Sequence, residues 1–357
     1  MSGPEGRRLA RVLPPVGWLV HYDQFHQATV VSMSQCLPIG LYSGSSNVEL
    51  AAAIAGRLGQ PLGRRKLERF PDGETHVQIE ESIRGRDIYL VQPTGPQVNE
   101  NLMELLIMID AFHRASAGRV TAIIPYYGYA RQEKKSTGRE PITARLVADL
   151  ISTAGANRVV SIDLHAPAIQ GFFNIWMDHL TAVPLLVDYL KSRAWKNGVI
   201  VSPDTGRVKL ADQYARALGL PLVILFKRRL GPKQAEVGGV VGSVQGRRPI
   251  IIDDMISTGV TVDRAVRTLL AAGALPEVLV AVTHGLFVDE AARRLKQPAI
   301  REIVVTDTLP LPRDKQAALG KVTVVSVAPL LAETIRRLNR DESISALFTS
   351  YPDHHPV

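Results

Sequence analysis

Leu50-Ala51, Ala55, Leu58-Gly59 and Pro61-Leu62 return 160 residues later as Leu210-Ala211, Ala215, Leu218-Gly219 and Pro221-Leu222. A constant offset of domain length means a duplicated unit, so one fold has to serve twice. Arg84-Gly85-Arg86 before an apolar run at 88–91 likewise matches Gln245-Gly246-Arg247 before 250–252, one residue out of phase. Within each copy, apolar runs of strand length (121–124 and 159–162; 199–201 and 278–282) alternate with amphipathic helical segments. Strands that are apolar throughout belong in parallel sheets covered on both faces. The chain is therefore expected to be α/β, with two tandem Rossmann-like domains that meet near residues 191–197. A helix around 330–338 is expected to pack back onto the first half.

The second copy holds the most informative local run. Ile250-Ile251-Ile252 delivers two carboxylates, Asp253 and Asp254, to a turn of small residues, Ser257, Thr258, Gly259, Val260 and Thr261. That turn offers backbone N–H groups and hydroxyls, and the apolar spacing of Val262, Val266, Leu269 and Leu270 predicts a helix whose positive end faces it. The carboxylates suit ribose hydroxyls or a magnesium-bound partner, and the loop suits a 5-phosphate. A strand end that merely caps a helix accounts for Asp253 or Thr258 alone, not for the whole run. At the equivalent place the first copy has Gln92-Pro93. Val260 restricts the backbone, so the loop is expected to leave any left-handed position to Gly259.

Composition excludes several classes. The 357 residues are 46% hydrophobic and 21% charged, as in a soluble globular protein with room for two cores. A single cysteine, Cys36, rules out an internal disulfide framework and fits a reducing cytoplasm. No apolar run approaches the ~18 residues of a membrane helix, so no membrane partner is expected. The formal charge of +8 is spread over short clusters, Arg64-Arg65-Lys66, Lys134-Lys135, Lys227-Arg228-Arg229 and Arg247-Arg248. That pattern suits small phosphates better than nucleic acid. The first and last of these clusters are expected to be solvated surface.

The run at 250–261 resembles the phosphoribosyl-pyrophosphate motif shared by type I phosphoribosyltransferases and ribose-phosphate pyrophosphokinases. Arg131-Gln132-Glu133-Lys134-Lys135, Asp163-Leu164-His165-Ala166, Ser202-Pro203-Asp204 and Lys227-Arg228-Arg229 resemble the pyrophosphokinase pattern in order and spacing. Phosphoribosyltransferases lack that set. The chain is thus similar to the pyrophosphokinases from about residue 39 to about residue 348. The resemblance implies duplicated phosphoribosyltransferase-like domains with mostly parallel sheets at 39–192 and 193–348, an N-terminal extension at 1–38 and a tail at 349–357. It also implies a cytoplasmic, magnesium-dependent transfer of the β,γ-diphosphoryl group of ATP to ribose 5-phosphate. The family assembles as homo-oligomers, with a hexamer expected.

Roles follow by resemblance. Lys227 and Arg229 match the cations of the transferring diphosphoryl group, and Arg229 also contacts ribose 5-phosphate. Asp253, Asp254 and residues Ser257 to Thr261 match the ribose 5-phosphate site. Arg131 and Gln132 match the ATP-binding pair. Phe70, Asp72, Gly73 and Glu74 match a loop that reaches the base across a subunit interface. His165 matches a ligand of magnesium and ATP phosphate, with Asp204 as a second metal-site residue. Asp163 and His165, two apart at a strand end, are expected to share one face. Arg139, Gln170, Ser343 and Ser345 match a regulatory anion site. Ser136, Pro167, Ser257 and Val260 depart from residues common in the family. A silent regulatory paralogue would be expected to have lost one of the central motifs, and a nucleotide-dependent transcriptional regulator would need a DNA-reading module. Residues 1–38 show no helix-turn-helix; Met33 precedes the family-like sequence, so the extension is expected to be disordered or the start assigned too early.

Overall fold

The computed structural model, which describes residues 36–193, 195–228 and 237–347, traces the same path twice. The first copy runs β1 (Ile39–Ser43), α1 (Val48–Leu58), β2 (Arg65–Arg69), β3 (Thr75–Ile79), β4 (Asp87–Val91), α2 (Val98–Arg114), β5 (Arg119–Ile124), α3 (Thr143–Thr153), β6 (Arg158–Ile162), β7 (Trp176–Leu180) and α4 (Val183–Lys191). The second runs β8 (Gly198–Ser202), α5 (Val208–Leu218), β9 (Leu222–Arg228), β10 (Val237–Val241), β11 (Arg248–Ile256), α6 (Val260–Ala271), β12 (Val278–Gly285), α7 (Ala291–Leu295), β13 (Ile300–Thr306), α8 (Arg313–Leu319), β14 (Val322–Val325) and α9 (Ala328–Asn339). The expectations for residues 1–35, for Arg229 and for the tail lie outside the described residues.

Strands β1, β4, β5, β6 and β7 form one parallel sheet in that order. Their counterparts β8, β11, β12, β13 and β14 take the same order in the second. The copies part at one place. β2 and β3 make a separate antiparallel hairpin, whereas β9 joins β8 in parallel and carries β10 antiparallel, which gives the second sheet seven strands. The repeated Leu-Gly steps end equivalent helices: Gly59 and Gly219 close α1 and α5 with φ of 67° and 65°, left-handed angles that cost glycine no steric penalty.

Both faces of each sheet are buried, which is why its central strands are apolar throughout. In β4, Ile88 and Leu90 face one core while Tyr89 and Val91 face the other. In β11, Ile251 opposes Ile250 and Ile252 in the same way. The last helix of each copy crosses to the other copy's sheet. Leu331 and Ile335 of α9 pack with Leu41, Ile54 and Val91, as the sequence suggested. Reciprocally, Leu186, Val187 and Leu190 of α4 pack with Ile200, Ile250 and Val304.

A buried charge fixes the return of α9. Asp87 is 0% exposed and accepts from Arg119 Nε (2.8 Å) and Nη2 (2.6 Å), the Tyr89 hydroxyl (2.6 Å) and Asn339 Nδ2 (3.0 Å). Arg119 also donates to the Leu338 carbonyl at 3.1 Å, closing the end of α9. Arg119→Ala leaves the Asp87 carboxylate without its charge partner, so a loss of about 3–5 kcal/mol in urea unfolding is expected. A loss near zero would show that the cluster contributes little to the docking of α9.

Arg65 corrects one surface expectation. Its Nε donates to the Ser43 carbonyl at 2.6 Å and Nη2 to Gly44 at 3.3 Å, so it caps the end of β1. No helix among the described residues is long and apolar enough to cross a membrane.

Candidate active site

The carboxyl ends of both sheets meet around β6, β8, β11 and β12, where ligands of such sheets bind. β6 stops at Ile162, and Asp163 adopts a φ of 40°. This left-handed residue breaks strand alternation, so Asp163 and His165 do not share a face as expected. Asp163 Oδ2 instead accepts from the Ala182 N–H (3.0 Å) and the Thr283 hydroxyl (2.6 Å) of β12. His284, also on β12, is 2% exposed; its Nε2 lies 3.1 Å and 3.2 Å from the carbonyls of Ile162 and Asp163, and its Nδ1 lies 2.9 Å from the Thr308 hydroxyl. Burial pushes the His284 imidazole down, so the neutral ring donates from Nε2 and accepts at Nδ1. His179, pushed down by the same cause, accepts from the Leu164 N–H at 2.8 Å. Two histidines thereby hold the turn that aims His165.

His165 turns to the second sheet. Its Nδ1 is 2.7 Å from both Asp254 Oδ2 and Arg207 Nη2, and it serves one at a time, donating to the carboxylate or accepting from the guanidinium. The donating form leaves Nε2 as an acceptor, 3.4 Å from Arg207 Nη2. Arg207 pairs with both acids, at 3.3 Å to Asp253 Oδ1 and 3.0 Å to Asp254 Oδ2. Burial pushes the Asp253 carboxyl up, and the adjacent Asp254 charge adds to the effect. Burial acts the same way on Asp254, but the His165 hydrogen bond and the Arg207 guanidinium outweigh it and hold that carboxyl below its ordinary value. Of the pair, Asp254 is the one whose surroundings favour the charged form. Sequence reasoning missed Arg207; its place three residues after Asp204 was the available signal.

Asp204 caps the turn that presents Arg207, accepting at Oδ1 from the N–H groups of Gly206 (2.8 Å) and Arg207 (3.2 Å), which leaves Oδ2. Among the described residues, no group of three or more His, Cys, Asp or Glu side chains converges as a metal cage. Magnesium prefers oxygen, keeps waters and takes oxygens from substrate phosphate, so the Asp204 carboxylate suits it and the His165 nitrogen is an uncommon ligand for it.

The turn from Ser257 to Gly259 joins the end of β11 to the start of α6. Gly259 has a φ of 76° and Val260 opens α6 with ordinary helical angles, as expected. A Cβ on Gly259 would meet Leu295 Cγ at 3.3 Å, so packing against α7 adds to the backbone demand. Arg294 holds the Thr258 carbonyl at 2.8 Å, and the Val288 N–H holds that of Ser257 at 3.1 Å. Among the described residues no side chain caps α6, so its first N–H groups can meet an anion. The first copy repeats the geometry without the acids: Gln97, with a φ of 63°, opens α2, while Gln92 Nε2 donates to the buried Glu104 at 2.8 Å.

The remaining candidates divide. Gln132 accepts from the Thr143 hydroxyl at 2.6 Å, and Arg131 beside it is exposed. Burial pushes the Tyr126 hydroxyl up, and the ring packs edge-on against His284 with centroids 5.0 Å apart. Phe70 is half exposed at the tip of the β2–β3 hairpin, its ring 5.3 Å from His76, and the turn closes through Phe70 N–H to Glu74 (2.8 Å) and Glu74 N–H to Asp72 Oδ1 (3.1 Å). Gly73 there has a φ of 96°. Lys227 lies near the end of β9, paired with Gly238 of β10. Ser343 and Ser345 adjoin each other, and Gln170 binds its own turn at Pro167; no contact among the described residues joins them to Arg139.

Comparison with known proteins decides the family. Residues 39–155 match the N-terminal domain of ribose phosphate pyrophosphokinase, and residues 227–349 match the phosphoribosyl synthetase-associated domain. The ribose-phosphate pyrophosphokinase of Caldanaerobacter subterraneus subsp. tengcongensis is 49% identical over 310 residues, 87% of this chain and 97% of that protein. The chain belongs to the ribose-phosphate pyrophosphokinase family. The pyrophosphokinase of Nostoc sp. is 48% identical over 323 residues, 90% of this chain and 97% of that protein. The crystal structure of phosphoribosylpyrophosphate synthetase from Mycobacterium smegmatis superposes with a TM-score of 0.81 at 45% identity, covering 85% of this chain and 99% of that one. The pyrophosphokinase fold thus accounts for both sheets described above.

Proposed function

We propose that the chain is a ribose-phosphate diphosphokinase, which moves the β,γ-diphosphoryl group of ATP to the 1-hydroxyl of ribose 5-phosphate for nucleotide biosynthesis. The observation that carries this is the meeting of His165, from the first sheet, with Arg207, Asp253 and Asp254, from the second. The anomeric oxygen forms a bond to the β-phosphorus as the bond from that phosphorus to the α,β-bridging oxygen breaks. AMP leaves with the electron pair, and the hydroxyl proton passes to solvent. Asp253 and Asp254 accept from ribose hydroxyls, while Ser257, Thr258, Gly259, Val260 and Thr261 hold the 5-phosphate at the start of α6. Arg131 and Gln132 hold the nucleotide, with Phe70, Asp72, Gly73 and Glu74 reaching the base from a neighbouring subunit. Lys227 and Arg229 stabilise charge on the transferring group, and positioning supplies much of the remainder. When bound at His165 and Asp204, magnesium supplies charge neutralisation on the phosphates.

The chain is proposed to work as a cytoplasmic homo-oligomer, with a hexamer as the expected state. Ile142, Leu146 and Leu150 support that assembly: they form an apolar row spaced four residues apart, from the residue that precedes α3 along its length, and each is at least 38% exposed. The proposed domains, 39–192 and 193–348, assign α4 to the first by sequence although its apolar face lies in the second core. Arg139, Gln170, Ser343 and Ser345 are proposed to take a regulatory anion. With magnesium, ATP and ribose 5-phosphate, the purified protein is expected to release AMP and a 1-diphosphoryl sugar in equal amounts, read by phosphorus NMR. ADP as the stoichiometric product would mean simple phosphoryl transfer and end this reading.

A further inference from the structure

Arg207 carries none of the roles implied by the family resemblance, yet its guanidinium occupies the centre of the junction. The side chain is 17% exposed, and all three nitrogens are engaged. Nη1 donates to the His165 carbonyl at 3.1 Å, Nη2 reaches His165 Nδ1 and Asp254, and Nε reaches Asp253. The turn beneath it is fixed by Asp204, a candidate metal-site residue. One side chain following β8 therefore touches the residue proposed to hold ATP phosphate and both residues proposed to hold ribose.

We infer that Arg207 couples the two halves of the diphosphoryl-transfer site, tying the ATP side at His165 to the ribose side at Asp253 and Asp254 and turning its N–H groups toward phosphate as the substrates bind. This inference rests on the substrate placement proposed above. Ribose hydroxyls that donate to Asp253 and Asp254 take up carboxylate lone pairs now shared with Arg207. The N–H groups released in that way become available to oxygens of the transferring phosphates. A guanidinium is always charged, weakly hydrated and forked, so it passes from carboxylate to phosphate oxygens without a change of protonation. Each substrate then prepares the arginine for the other, and by linkage the effect is reciprocal. The planar fork matters as well as the charge, because three separate partners are addressed from three nitrogens.

The test measures ribose 5-phosphate affinity by calorimetry on the full chain, alone and with a non-hydrolysable magnesium–ATP analogue, together with steady-state turnover and thermal midpoint. In the unmutated chain the analogue is expected to tighten ribose 5-phosphate binding by about tenfold, within the usual range of coupling between sites. Arg207→Ala is expected to abolish the tightening and to lower kcat by about 10²–10³-fold, with part of the loss restored by added guanidinium ion. Arg207→Lys keeps the charge without the fork and is expected to keep little of the coupling. If Arg207→Ala does not fold, Arg207→Gln carries the same readouts. Tightening that survives in the variants, no tightening in the unmutated chain, or a loss of turnover that follows the thermal midpoint and ignores guanidinium would each overturn the coupling role. Asp254→Asn and His165→Ala, measured alongside, separate the two readings. If neither affects either substrate, the substrate placement fails; if both are impaired while Arg207→Ala is normal, only the coupling role fails.

Discussion

Lys227→Ala is expected to lower kcat by about 10²–10³-fold, the scale seen when a preorganised electrostatic contact to a transition state is removed. Diphosphoryl transfer concentrates negative charge on a group passing between two anionic partners, so little covalent assistance is available and cations contribute most. Lys227 lies on a strand. β9 pairs with β8 in parallel, and its far end pairs with β10. This hairpin extends the second sheet, while its counterpart β2–β3 stands as a separate sheet. A contact made mainly in the transition state lowers kcat and leaves the Michaelis constants for ATP and ribose 5-phosphate close to those of the unmutated chain. Unchanged far-ultraviolet circular dichroism would confirm that the fold is intact. Near-normal turnover would remove Lys227 from the mechanism, whereas a rise in both Michaelis constants at constant kcat would reassign it to ground-state binding.

The second large effect is expected at Asp254. Asp254→Asn keeps the shape but removes the charge that opposes Arg207 at 3.0 Å and meets His165 Nδ1 at 2.7 Å. An amide at that place presents either an oxygen without charge or an N–H against another donor. Loss of one member of a buried, hydrogen-bonded charge pair costs about 2–5 kcal/mol, so kcat/KM for ribose 5-phosphate is expected to fall by about 10³-fold. The Michaelis constant for ribose 5-phosphate should rise more than that for ATP, because the carboxylate is proposed to accept from ribose hydroxyls. Equal rises would place Asp254 on the shared phosphate path instead. No change in either would remove the carboxylate pair from substrate binding.

The internal repeat, read from the sequence alone, determined that one α/β path is laid down twice, and the apolar runs determined parallel strands buried on both faces. Those signals are local. A strand such as 250–252 has to bury side chains in both directions, and a Leu-Gly step ends a helix by its backbone angle wherever it occurs. The requirement for a left-handed glycine at 259 was legible for the same reason, since a β-branched Val260 resists that conformation. Pairings between distant segments were not legible. Nothing near Asp163 in sequence indicates that its φ of 40° turns the carboxylate toward Ala182 and Thr283 rather than toward the face of His165. Nor does sequence spacing show that α4 packs on the second sheet while α9 packs on the first. Arg207 lay in plain view as one basic residue among many. Only the tertiary structure, by bringing the ends of β6, β8 and β11 together, gave it two carboxylates and a histidine as partners, because its significance depends on groups 42 and more residues away in the chain.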